Sequence, residues 1–189
     1  LPCLAEVKAA YPALLREARA LFDGGGFGLA KENRVDFTYK GWETFDLQAF
    51  DFVHKKNYFA VETLTFPENR VRAPVASALL DGLPLMGDCF YSVLLPGGIV
   101  NPHFSHFNGK LFCHLGLTVP PDCGIRVGGE VRAWKEKEFL VFDETFTHDT
   151  WNRSGKPRLL LHIGVWHPDL TPLEIATLSG WFERSKLAA

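Results

Sequence analysis

Cysteine is sparse in this sequence: four residues, at 3, 89, 113 and 123, with no CxxC pair among them. That spacing excludes a zinc ribbon and a dense disulfide framework. Reduced, mostly buried thiols in a cytoplasmic protein are expected, with a Cys89–Cys123 or Cys3–Cys113 bridge as the alternative. No apolar run reaches the roughly 18–20 residues needed to cross a bilayer. The first residues, LPCLAEVKAAYP, have neither the basic start nor the apolar core of a signal peptide. Charge of one sign is also missing: 20 basic and 22 acidic residues leave a net −2, so neither a nucleic-acid nor a membrane partner is expected. The glycine run GGGFG at 24–28 lacks the GK[ST] ending and preceding strand of a phosphate-binding loop, and reads as a helix terminator. No internal repeat or low-complexity tract divides the chain.

Aromatic residues are plentiful, with sixteen Phe and five Trp among 189 residues, enough to fill one sizeable core. A single domain over 1–189 is expected. Its N-terminal part, about 1–85, reads as helical: apolar residues recur near helical spacing over 4–22, where Pro12 opens a better second helix. Residues 34–85 otherwise read as irregular, apart from a short helix around Val75–Leu80. A β core then runs over about 86–170. FYSVLLP, KLFCHLGLTVP, CGIRVGG, EVRAWKE, EFLVFDE and PRLLLHIGVWHP are separated by Gly, Pro or Asp turns, the signature of an all-β barrel or sandwich. TPLE at 171–174 is a capping box that opens a C-terminal helix over about 171–187.

Period two sorts the strand residues into two faces. Lys110, Phe112, His114 and Gly116 share one face, as do Arg158, Leu160, His162, Gly164 and Trp166, and likewise Phe90, Ser92 and Leu94. The opposite faces are uniformly apolar and suit packing against another layer. The mixed faces either line a partly polar cavity or are solvated; Phe, Gly, His and Trp favour the cavity. Arg158 on such a face either grips a bound acid, with Ser92 adding a hydrogen bond, or reaches solvent from a strand end.

Three of the seven histidines fall within twelve positions, at 103, 106 and 114, and His148 follows EFLVFDETFT. Two imidazoles brought together across a barrel suit Fe(II), Cu(II), Ni(II) or Zn(II). Iron oxygenases commonly add a carboxylate two residues after the first His. Here that position is Ser105, a poor iron ligand, which leaves water or a third residue to complete the site.

Four motifs in order, SVLLPGGIVNPH, NGKLFCHLGL, FDETFTHDTWN and RLLLHIGVWHPDLTP, carry a resemblance. The stretch Phe90–Pro172 is similar to the aspartyl/asparaginyl β-hydroxylase family of Fe(II)- and 2-oxoglutarate-dependent oxygenases. The resemblance implies a double-stranded β-helix, a jelly-roll or cupin-like barrel, with flanking helices. It also implies two His ligands with no carboxylate. Carried over, His103 and His148 bind iron, Arg158 with Ser92 holds the far carboxylate of 2-oxoglutarate, and His114 contacts that co-substrate. Oxygen is the second co-substrate, and the product is a hydroxylated C–H. Trp42 stands like an aromatic the family has near its site, and Lys110, Phe112 and His106 are further candidates for substrate contact.

Some positions depart from the family. Phe112 stands where relatives carry an arginine, Ser105 replaces a Gly, Gly164 an Asp, and His162 an aliphatic residue. His106 stands at a position that is not usually a ligand. The departures leave open an oxygenase that does not use 2-oxoglutarate, with His106 or His162 as third ligand, or a halogenase in which chloride takes the vacant place. A non-catalytic small-molecule-binding barrel is the reading from another class. Relatives with membrane anchors or helical repeats act on secreted or lipid substrates. Without those segments here, the expected partner is a free or carrier-bound amino acid, a peptide or a small natural product.

Overall fold

The computed structural model describes residues 1–30, 38–55 and 58–187. After a 3-10 turn at Pro2–Leu4, α1 (Ala5–Ala9) and α2 (Tyr11–Asp23) form the first layer. Pro12 sits in the first turn of α2, where its missing N–H costs nothing. Tyr11, Leu14, Ala18 and Leu21 bury one stripe, and the chain leaves the helix at Gly24.

The expectation of a helical N-terminal part is corrected over its second half. A two-residue strand β1 (Gly28–Leu29) is followed by β2 (Tyr39–Lys55) and β3 (Tyr58–Thr65), and only then by α3 (Pro67–Arg72) and α4 (Pro74–Leu80). Phe45, Leu47 and Ala49 of β2 do alternate inward. But Gly41, Asp46 and Gln48 are poor strand formers, and register shifts fall at Lys40/Trp42 and Asp46/Gln48. Pairing to a distant strand, not local composition, makes β2. The parts of the irregular reading that cover 34–37 and 56–57 lie outside the described residues.

The β core consists of β4 (Leu85–His103), β5 (Lys110–Thr118), β6 (Cys123–Val127), β7 (Glu130–Arg132), β8 (Phe139–Phe142), β9 (His148–Asn152) and β10 (Arg158–Trp166). Of the run EVRAWKE only its first three residues are strand, and β9 was not expected as one. The strands follow the order β7-β6-β9-β4-β10-β5-β8, with β2 also pairing β4. Among the described residues the ladders between these strands are antiparallel.

The long β4 serves both halves of this curled sheet. Its pairing with β10 runs up to Leu94, and its pairing with β9 begins at Ile99. Between them, Pro96–Gly98 turns the strand, with Gly97 at φ +71°, a conformation glycine adopts without strain. Outward residues of β4, β5 and β10 (Tyr91, Val93, Leu115, Leu161, Ile163) pack against α1, α2 and α4 in one cluster. Glu17 ties these layers together, accepting from the N–H groups of Val75 and Ala76 and from the Tyr91 hydroxyl. The inward face holds a second cluster: Phe90, Phe112, Cys123, Ile125, Trp134, Phe142 and Leu160. The alternation read from the sequence is therefore the division between the two.

The final helix, α5 (Pro172–Leu187), starts with the expected box: Thr171 N–H donates to Glu174 Oε2 at 2.7 Å, and Glu174 N–H to Thr171 Oγ1 at 3.3 Å. All four cysteines are free thiols, so neither bridge forms. Burial pushes the Cys89 and Cys113 thiols up to about 12, which keeps them protonated and inert.

Candidate active site

His103 ends β4 and His148 begins β9, and the two are direct partners across the antiparallel ladder. Their ring centroids lie 4.1 Å apart at 56°. Each ring is oriented by a carbonyl two residues upstream: His103 Nδ1 donates to Asn101 O at 2.8 Å, and His148 Nδ1 to Phe146 O at 2.9 Å. A carbonyl only accepts, so Nδ1 carries the proton in both rings and Nε2 carries the lone pair. Burial, then the neighbouring His148, pushes His103 down to about 4. Burial also lowers His148. Both imidazoles are neutral near pH 7, the state a metal requires.

Among the described residues, no three of the His, Cys, Asp and Glu side chains group into a cluster that could hold a metal. His106, weighed as a third ligand, is exposed in the turn after β4 and packs edge-on to the exposed Phe104. His162 lies deep in the wall, stacked on His114 with centroids 3.8 Å apart and 18° between planes.

Arg158 is 2% exposed, the most buried charge of the site. Its Nη2 lies 3.2 Å from Ser92 Oγ, which also accepts from the Trp42 indole N–H at 3.0 Å. Trp42 thus borders the guanidinium. Trp134, which sequence reasoning passed over, stacks on the same group, 4.6 Å from Arg158 Cζ to its ring centre. Its indole N–H donates to His114 Nδ1 at 3.3 Å, so His114 carries its proton on Nε2. The alternation in EVRAWKE fades after Arg132, and nothing else in the sequence marks that Trp. Among the described residues no carboxylate pairs with Arg158, and its Nε and the His114 Nε2 are buried without a hydrogen-bond partner. Burial lowers Arg158 to about 10, so it keeps its charge.

A donor buried without an acceptor costs about 1–3 kcal/mol, more when charged. A carboxylate at Arg158 would remove that cost, so the side chains fit the far end of a small dicarboxylic acid, and the two Nε2 lone pairs fit a divalent metal.

Lys110 is not an available cation. It is 3% exposed and pairs with the buried Glu144 carboxylate. Burial alone pulls the Lys110 ammonium down, but Glu144 and Asp88 outweigh it and hold it above its ordinary value. Phe112 fills the arginine position with an aromatic face, against Phe90, Phe142, His114 and His162. Phe142 continues this wall to the paired imidazoles, 5.2 Å from His148. It also borders an open cleft of about 890 Å³ between the sheet's two end strands, β7 and β8.

A curled antiparallel sheet with a two-histidine rim and flanking helices defines a double-stranded β-helix of the cupin-like type. A prolyl-4-hydroxylase of Pseudomonas putida has this fold: TM-score 0.52, 16% identity, 84% of this chain and 87% of that one covered. Residues 8–168 match the profile of aspartyl/asparaginyl beta-hydroxylase, and the chain belongs to that family. It is 38% identical over 112 residues to the aspartyl/asparaginyl beta-hydroxylase of Homo sapiens, covering 56% of this chain and 15% of that protein. It is 30% identical over 175 residues to aspartate beta-hydroxylase domain-containing protein 2 of Rattus norvegicus, covering 87% and 48%. The chain thus spans less than half the length of either relative.

Proposed function

We propose that this chain is an Fe(II)- and 2-oxoglutarate-dependent hydroxylase acting on an unactivated C–H of an amino acid, a peptidyl residue or a small natural product. The observation that carries the reading is the pairing of two neutral, carbonyl-oriented imidazoles with a buried guanidinium that has no carboxylate partner among the described residues. His103 and His148 hold the iron through Nε2. Arg158 and Ser92 hold the far carboxylate of 2-oxoglutarate, and His114 contacts that co-substrate. When bound, these groups supply O2 activation coupled to oxidative decarboxylation, so that R–H, O2 and 2-oxoglutarate become R–OH, succinate and CO2.

The protein's own part is to bind, orient and exclude water. Phe90, Phe112, Phe142, Trp134 and Leu160 form an apolar cluster on this inner face. The relatives' names point to aspartyl or asparaginyl residues. With Lys110 neutralised by Glu144 and an aromatic at 112, the wall favours an uncharged target group over a carboxylate.

Anaerobic Fe(II) titration with and without 2-oxoglutarate tests the reading. One iron per chain and a visible band that needs both components are expected. His148→Ala should lose the iron and the band, whereas His106→Ala should keep both. Bound iron without a co-substrate band would instead favour the oxygenase that does not use 2-oxoglutarate. Absence of iron binding would favour the non-catalytic barrel.

A further inference from the structure

His162 is 6% exposed, and neither of its ring nitrogens has a hydrogen-bond partner. A neutral imidazole has one N–H and one lone pair, so two polar groups are left unsatisfied in the centre of the inner wall. An apolar residue of similar shape would fill this position at lower cost. The ring packs against Phe90 at 4.6 Å and Phe112 at 5.4 Å, surfaces that ask for no nitrogen.

Its placement supplies the reason for one. His162 faces His114 across the β10–β5 ladder, and the two rings stack. Burial pushes both rings well below their ordinary value, and both feel the charge of Arg158 and of His148. Trp134 touches both His114 and Arg158, and Phe142 touches both His114 and His148, so the stacked pair shares one wall with the guanidinium and the two paired imidazoles. An acid anchored at Arg158 would lie along this wall.

Resting on the reading above, we infer that His162 is a further co-substrate-binding residue, donating a hydrogen bond to an oxygen of 2-oxoglutarate beside the contact from His114. The imidazole at 162 returns to the wall a donor that phenylalanine at 112 does not provide.

The test is calorimetric binding of 2-oxoglutarate to the Mn(II)-loaded protein, comparing wild type with His162→Phe. The variant keeps a ring against His114 and Phe90 but has no nitrogens. Co-substrate affinity should fall about fivefold, the size of one neutral hydrogen bond, with Mn(II) affinity unchanged. The metal-free variant should melt a few degrees higher, because two unsatisfied buried groups are gone. A purely structural histidine would give a lower melting temperature and unchanged co-substrate affinity, which overturns the inference. In the Zn(II)-loaded wild type, 2-oxoglutarate should move the His162 ring-nitrogen resonances; unmoved resonances with co-substrate bound likewise overturn it. Wild type that binds Mn(II) but no 2-oxoglutarate would sink the hydroxylase reading itself, an outcome distinct from loss at His162 alone.

Discussion

At the scale of single residues, Arg158 carries the most chemical information. Its side chain is held by Ser92 and stacked on Trp134, both neutral, so the fold positions the charge without cancelling it. Arg158→Met keeps the apolar stem and removes the charge. Charge-assisted bonds are worth about 1.5–3 kcal/mol each, so co-substrate affinity should fall roughly 10- to 100-fold, read by titration of the metal-loaded protein. Metal affinity should stay within about twofold, because neither imidazole touches this residue. Equal co-substrate affinity in the variant would remove Arg158 from the site. Nothing in the bare sequence around 158 distinguishes this buried cation from one that reaches water at a strand end. The resolving facts, Ser92 on the neighbouring strand and Trp134 stacked on the guanidinium, lie 66 and 24 residues away.

Elements differ in how far their own sequence declares them. The alternation in β5 and β10 is regular enough to assign inward and outward faces, and the two clusters follow that division. In β9 it is hidden, because the buried positions are His148, Thr150 and Asn152, all polar; His148 and Asn152 are held there by hydrogen bonds, His148 Nδ1 to Phe146 O at 2.9 Å and Asn152 Nδ2 to Leu94 O at 2.7 Å. The ion pair of Lys110 and Glu144 was equally hidden. It joins the first residue of β5 to the turn before β9, and two residues 34 apart declare no pairing in sequence. Breaking it should show in stability before activity. Lys110→Met leaves the Glu144 carboxylate buried without its cation and should cost about 3–5 kcal/mol. The double change with Glu144→Leu should recover most of that loss, since two apolar side chains replace two charges. Chemical denaturation of the three variants checks this. A double variant no better than the single one would mean that Glu144 has another partner.

Across the whole molecule, the curled sheet separates an apolar layer under the helices from an inner wall that contains imidazoles. That arrangement makes folding sensitive to acid. Burial lowers the folded-state values of His103, His114, His148 and His162, whereas each titrates near 6.5 in the unfolded chain. Between 6.5 and the depressed value the unfolded chain binds more protons, so stability is present in full above about pH 6.5 and is lost as pH falls. Carboxylates add their own slope at lower pH, but His162→Phe cancels everything except one imidazole. The stability difference between this variant and wild type, both metal-free, should be constant above about pH 7 and widen by up to about 1.4 kcal/mol per unit below about pH 6.5, in favour of the variant. Denaturant midpoints taken between about pH 7.5 and about pH 5 read this directly. A difference that stays flat would mean that His162 takes its proton inside the fold and has an acceptor there, contrary to its two unpartnered nitrogens.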